Sequence, residues 1–371
     1  MGYYVGVIDF NPNAVGVSYA DVFFNVSTID IEGVTETAKQ FQPDGIVTLA
    51  TDMPMRAIAS ATKALGLPGI SMETAIRATD KGEMIKAFAA HSVPSPWYFI
   101  VENEEKLASI QKKITYPCIM KPLDNSGSRG VMLIERAEKL AESFAYSVAQ
   151  SRGAGVIVEE YMQGSEVSVE IMVIGGESHI LTITDKLTTG APHFVEMGHS
   201  QPSRFDEKTK EAICEVARGA VKAIGLENGP AHAEIMVTKE GPKMVEIGAR
   251  MGGDCITTHL VPLSTGIDMI GATILLACGK VPDVAPKTAK GAAIRYFTTD
   301  SGVLESISGA EAAAAIPGVQ EITFVKEPGE AVGDIGSSTD RVGFVIAQGE
   351  TAEEAIGICE KAIDMVTITI K

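Results

Sequence analysis

Ala233-Glu234-Ile235-Met236-Val237 and Met244-Val245-Glu246-Ile247, separated by the turn-like Lys239-Glu240-Gly241-Pro242, decide how this chain is read. If the two apolar runs pair as a hairpin centred on Glu240, residues whose numbers sum to 480 face each other, and Glu234 lies opposite Glu246. Like charges roughly 5 Å apart across a ladder are destabilising unless something neutralises them. A hard divalent cation held by carboxylate oxygens does so, and Mg²⁺ bridging nucleotide phosphates is the commonest case. Period-two alternation places His232, Gly248 and Arg250 on the carboxylate face, with Ile235, Val245 and Ile247 pointing away. The run Gly248-Ala249-Arg250-Met251-Gly252-Gly253-Asp254 is glycine-rich, which suits close approach of backbone to a ligand.

Length and charge bound the remaining readings. At 371 residues the chain accommodates two or three domains with real cores. Its hydrophobic content of 45% and charged content of 21% are those of a soluble globular protein. A net charge of -17 argues against a nucleic-acid or anionic-membrane partner, so any phosphate site must be built locally. Neither a membrane span nor a secretory signal is visible, which makes the cytoplasm the expected location. Cys118, Cys214, Cys255, Cys278 and Cys359 are widely spaced and read as reduced thiols, and the histidines lack zinc-type spacing.

Residues 1 to about 75 read as a βαβ region. It holds strands at Tyr4–Asp9, Phe23–Val26 and Gly45–Leu49 and helices near Ile31–Phe41 and Pro54–Leu65. A fold of this type normally begins with a strand, a Gly-rich turn and a helix, so the first strand is expected to be missing. Farther on, 155–162 and 166–173 alternate like a half-exposed antiparallel pair. Asp206–Ile224 reads as an amphipathic helix. Strands are expected at Ala292–Thr298 and Val342–Ala347, and the chain is expected to end in a helix capped at Thr351.

The apolar strand ending at Lys121 runs into Asp124-Asn125-Ser126-Gly127-Ser128-Arg129-Gly130. Small residues there let backbone N–H groups converge on phosphate oxygens, with Ser126 and Ser128 as hydroxyl donors and Lys121 beside them. No Walker motif is present, and no helix follows as in a dinucleotide fingerprint. Lys81, near a helix start, is a second phosphate-binding candidate. His199 falls in a Gly/Ser/Pro-rich stretch and is a candidate substrate or acid–base residue, and Arg295 in Ala293-Ile294-Arg295-Tyr296 is a candidate carboxylate binder.

Taken together, Lys81, Lys121, the 124–130 loop, Glu159-Glu160-Tyr161-Met162, Glu166, Glu234, Glu246 and Arg250 resemble the ATP-grasp superfamily, in that family's order. The resemblance implies an ATP-grasp fold of α/β and α+β parts. It places an N-terminal βαβ domain at 1–75, the ATP-grasp domain at 76–290 with a lid near 115–160, and a small C-terminal α+β domain at 291–371. It also implies ATP with Mg²⁺, Mn²⁺ being an alternative. Lys81 and Lys121 would hold phosphates under the loop formed by Ser126, Gly127, Ser128 and Gly130. Glu159 and the Met162 backbone would meet adenine within the Glu159–Met162 segment that includes Glu160 and Tyr161. Glu166 would meet ribose, and Glu234 and Glu246 would hold the metal. Where the family often has Asn two residues past the second metal glutamate, this chain has Gly248.

The stretches 183–188, 198–203 and 248–260 look like L-amino-acid ligases and related carboxylate–amine ligases. Those enzymes convert a carboxylate to an acyl phosphate and let an amine attack it. On that likeness the partners are a small carboxylate and an amine, the assembly is a homodimer, and Arg250 stabilises the transferring phosphoryl group. Acyl phosphates hydrolyse in water, so a mobile lid is expected over about 120–200. An ATP-dependent carboxylase or formyl-transfer enzyme, and a non-catalytic nucleotide-binding module, are the alternatives.

Overall fold

Residues 2–124, 130–151, 153, 155–191 and 194–371 are described by the structure, a computed structural model. In the N-terminal region, strand Gly6–Asp9 pairs in parallel with Val22–Asn25. Asp30 caps helix Ile31–Phe41 by accepting from the Gly33 N–H at 3.0 Å, which satisfies a donor the helix cannot. This helix and Met55–Leu65 bury Val34, Ala38, Ala57 and Ala61 between them.

The segment 45–49 is not a strand, contrary to its apolar sequence. The sheet here has two strands among the described residues, leaving this segment no ladder, and Val47 and Leu49 are exposed. Its end is tied instead to the glycine-rich run, the Met251 N–H donating to the Leu49 carbonyl at 2.9 Å.

An eight-stranded sheet forms the body, in the order Gly241–Gly248, Gly229–Thr238, Gly164–Ile174, Glu177–Thr188, Glu196–Gln201, Gly291–Tyr296, Gly343–Gly349 and Val319–Phe324. One face carries Val167, Val169, Ile171, Ala231, Ala233 and Ile235 against the helix Glu207–Ile224. Asp206 caps that helix through the Thr209 N–H. The registers put Glu166, Ser168, Glu170, His232 and Glu234 on the opposite face. This arrangement corrects the expected 155–162/166–173 pair. Val156–Glu160 instead joins a separate four-stranded sheet with Tyr98–Val101, Cys118–Pro122 and Met132–Ile134. Ser168 and Glu170 are fully buried, so the polar alternation of 166–173 marks a lined site, not a wet face.

In the hairpin, Glu234 does face Glu246, with Ala233 on Ile247 and His232 on Gly248. Nearer the turn the register is one residue different, Thr238 facing Gly241 and Ile235 facing Met244. A bulge at Val245 absorbs the extra residue and re-aims the strand. The two-residue turn alone would have missed the glutamate pairing; the bulge restores it.

Ile294 pairs with His199, so the large sheet runs on without a break past residue 291. Helix Ala352–Met365, capped by Thr351 through the Glu354 N–H, covers Ala293, Val345 and Ala347 with Ala355, Cys359 and Ala362. The chain then closes in strand Thr367–Ile370, paired with Gly302–Ser308, not in the expected helix. All five cysteines are free, and burial pushes the Cys255 thiol up to about 11, far from a nucleophile's range.

Candidate active site

The polar face of the large sheet floors a cavity of about 610 Å³. Glu234 and Glu246 both line it, together with Lys81, Arg250 and His199. Lys81 opens the helix Lys81–Ala90, and its Nζ lies 2.7 Å from Glu246 Oε2. Lys186 Nζ sits 2.8 Å from Glu166 and 3.2 Å from Glu234 Oε1, and His232 Nε2 is 3.4 Å from the same Oε1. Burial alone would raise the Glu234 carboxyl, but Lys186 and His232 hold it well below the usual range. Glu246 is likewise lowered, against burial, by Lys81 and Lys121. Burial would lower His232, yet Glu170 and Glu234 push it up to about 9. Two ionised carboxylates therefore meet inside a shell of cations.

Each glutamate has one oxygen bound by a cation and one with no protein partner among the described residues. No cluster of three or more metal-ligating side chains exists among those residues. Two hard carboxylate oxygens suit Mg²⁺, which usually completes its shell with phosphate oxygens and water. The donor set fits that ion.

Lys121 is buried beside this group, its Nζ 2.5 Å from Glu159 Oε1. Glu160 pairs with Lys243 at 2.9 Å, linking the small sheet to the hairpin. Tyr161 packs 6.4 Å from the Phe194 ring, and Met162 follows directly on the strand. Lys121, Glu159, Glu160, Tyr161, Met162 and Glu166 do not line the cavity itself, although Glu166 touches it through Lys186. Ser126, Gly127 and Ser128 lie outside the described residues. Gly130 has φ +80°, and a Cβ there would come within 2.7 Å of Pro122, so the return from the loop to strand Met132–Ile134 requires glycine.

Arg250 reaches the cavity but is held away from the hairpin carboxylates. Its Nε and Nη2 each lie 2.9 Å from Asp52, a bidentate pair with the N-terminal region. His199 is on the strand Glu196–Gln201, not in a loop as its composition suggested, and is 1% exposed. Its Nε2 is 3.3 Å from Asp254 Oδ2, and Arg341 grips Asp254 with two bonds of 2.8 and 2.9 Å. The Arg341 guanidinium also stacks 3.8 Å from the Tyr296 ring centroid.

Arg295 is the correction here. It registers with Gly198 while Ile294 registers with His199, so it points to the opposite face of the sheet. There its Nη1 donates to the His199 and Ile294 carbonyls. Arg341 is the C-terminal guanidinium tied to the cavity, through its two bonds to the lining residue Asp254.

Asp52, Asp254, Arg341, Glu170 and Glu196 were not recognised in the sequence. Asp254 ends the glycine-rich run and Asp52 follows an apolar stretch in a βαβ region, where ligands gather at strand ends. Arg341 carries no local signal. Asp254 sits in the left-handed region, φ 50°, and its carboxyl is held far down because His199 and Arg341 outweigh burial. A depressed carboxyl stabilises the fold fully above its unfolded value of about 3.8 and loses that contribution as pH falls through the folded value. The gap in melting temperature between wild type and Asp254→Asn is expected to narrow steadily as the pH is lowered below about 4.

Residues 114–258 match the ATP-grasp domain model and residues 295–371 the L-amino acid ligase C-terminal domain 2. Alanine–anticapsin ligase of Bacillus subtilis is 30% identical over 278 residues, covering 68% of this chain, and the chain spans only 58% of that enzyme's length. The crystal structure of an L-amino acid ligase from Bacillus licheniformis superposes with a TM-score of 0.87 at 23% identity, covering 100% of this chain and 93% of the other. A biotin carboxylase domain of a 2-oxoglutarate carboxylase from Hydrogenobacter thermophilus, a dimer solved with MgADP and bicarbonate, superposes with a TM-score of 0.76 at 16% identity, covering 98% and 85%.

Proposed function

We propose that the chain, whose residues 114–258 match the ATP-grasp domain model, is an ATP- and Mg²⁺-dependent ligase that activates a small carboxylate, an amino acid, as an acyl phosphate and couples it to an amine. The facing pair Glu234 and Glu246, each with one oxygen unbonded among the described residues and the other held by a lysine, carries this reading. A carboxylate oxygen of the substrate attacks the γ-phosphorus and ADP leaves. The amine nitrogen then attacks the acyl carbon, and phosphate departs with the former carboxylate oxygen.

Mg²⁺ on Glu234 and Glu246 would neutralise phosphate charge, and Mn²⁺ would suit the same oxygens. Lys81 and Lys121, with Ser126, Gly127, Ser128 and Gly130, are assigned to the phosphates. Glu159, Glu160, Tyr161, Met162 and Glu166 are assigned to the nucleoside end. Arg250, oriented by Asp52, stabilises the transferring group, and His199 contacts substrate from the cavity wall.

Glu196 and Arg56 line the cavity with no ion-pair partner among the described residues. Burial raises the Glu196 carboxyl and Lys186 only partly opposes this. It is suited to receive the proton an amine must lose. Arg56, bonded through Nε to Thr79 at 3.1 Å, offers its remaining donors to a substrate carboxylate. Arg56→Gln is expected to raise the KM for one of the two organic substrates by about 10- to 100-fold, the loss of a charged hydrogen bond, with the KM for ATP unchanged.

Among the described residues no single helix is long and apolar enough to cross a membrane. A cytoplasmic homodimer without nucleic-acid partners completes the proposal, in keeping with the net charge of -17. The test is ADP and phosphate release by purified protein with pooled amino acids and small carboxylates, with mass detection of products. ADP that requires a particular pair, together with an amide, supports the ligase. Carboxylated or formylated products would establish the carboxylase or formyl-transfer reading instead.

A further inference from the structure

Behind Glu234 lies a polar chain that no step above uses. His232 points Nε2 at Glu234 Oε1 and Nδ1 at Glu170, 2.9 Å from Oε2 and 3.1 Å from Oε1. Glu170 is completely buried, and His232 is 5% exposed. Ser168 and Thr184 hydroxyls donate to Glu170 Oε1 at 2.9 and 3.3 Å. Gln201 donates to the Thr184 hydroxyl and in turn accepts from Ser264. A carboxylate at 0% exposure, held by three protein donors, is costly to bury.

The geometry shows the use. The two side chains that contact the Glu234 carboxylate directly, Lys186 and His232, meet the same oxygen, Oε1. Pinning one oxygen turns the other toward the cavity, directly opposite Glu246. The glycine-rich run is fitted to this arrangement, since a Cβ on Gly252 would stand 2.6 Å from His232 Nδ1 and 3.1 Å from Glu170 Oε2.

We propose that Glu170 and His232 are positioning residues that fix which oxygen of Glu234 is offered to the divalent cation. Losing a partner that orients a metal ligand typically costs about 10- to 100-fold in metal affinity. Gly252 belongs to the same device, because a Cβ there would crowd the imidazole without removing either side chain. This rests on the metal role of Glu234 given above.

Calorimetric titration of ADP, with Mg²⁺ varied and again in EDTA, tests it alongside Mn²⁺ binding followed by electron paramagnetic resonance. His232→Gln, Glu170→Gln and Gly252→Ala are expected to weaken the divalent-ion dependence by about 10- to 100-fold, leaving ADP affinity in EDTA unchanged. A mere packing role would lower the melting temperature and both affinities together. Folded variants with wild-type Mg²⁺ and Mn²⁺ dependence would overturn the proposal. A wild-type protein whose ADP binding ignores Mg²⁺ would remove the metal role of Glu234, and this inference with it. Gly252→Ala retains both Glu170 and His232 and keeps the test valid should Glu170→Gln fail to fold.

Discussion

Glu246→Gln is expected to lower Mg²⁺-dependent ADP formation by about a thousandfold, the scale of losing one electrostatic group aimed at the reacting phosphate, with the fold intact. The fold survives because two effects oppose each other. The variant loses the 2.7 Å contact with Lys81 but relieves repulsion from Glu234, which faces it directly. Steady-state ADP release and a thermal melt check both halves. Retained turnover would take Glu246 out of the metal site, and a collapsed melt would mean that its pairing with Lys81 is structural.

Arg250→Lys is expected to cost about 10³-fold or more in kcat, the range associated with arginines that stabilise phosphoryl transfer. A lysine keeps the charge but cannot make the two parallel bonds to Asp52. The KM for ATP should change little, since the effect falls on the transferring group and not on the nucleotide. Near-normal kcat with a lowered melting temperature would reveal a tether between the N-terminal region and the glycine-rich run.

The hairpin shows how far the sequence carries and where it stops. Centring the hairpin on Glu240 placed Glu234 against Glu246, period-two alternation put His232 on their side, and the structure keeps all three together. That alternation could not show the bulge at Val245, because bulges follow from sheet twist and neighbouring strands. The cap at Thr351 was readable in the same local way, whereas Asp206, read as the first residue of its helix, is the residue that caps it.

Partners far apart in sequence were not readable. Asp52 and Arg250 are 198 residues apart, and Arg341 and Asp254 are 87 apart. Nothing in either local pattern marks the other member. The same limit explains Arg295. A basic residue in an apolar strand is visible in the sequence, but which face of the sheet it occupies depends on the register with Glu196–Gln201. Residues 45–49 failed for a related reason: β-branched and apolar residues permit a strand, and only a neighbouring strand makes one.

Carboxylate activation is the central claim, and isotope transfer tests it most directly. The carboxylate substrate found by product screening is labelled with ¹⁸O in both carboxyl oxygens, and the phosphate released during amide formation is examined by mass spectrometry. An acyl phosphate places one labelled oxygen in each phosphate, because the bond from carbon to the bridging oxygen breaks when the amine attacks. Unlabelled phosphate accompanying amide formation would contradict the account.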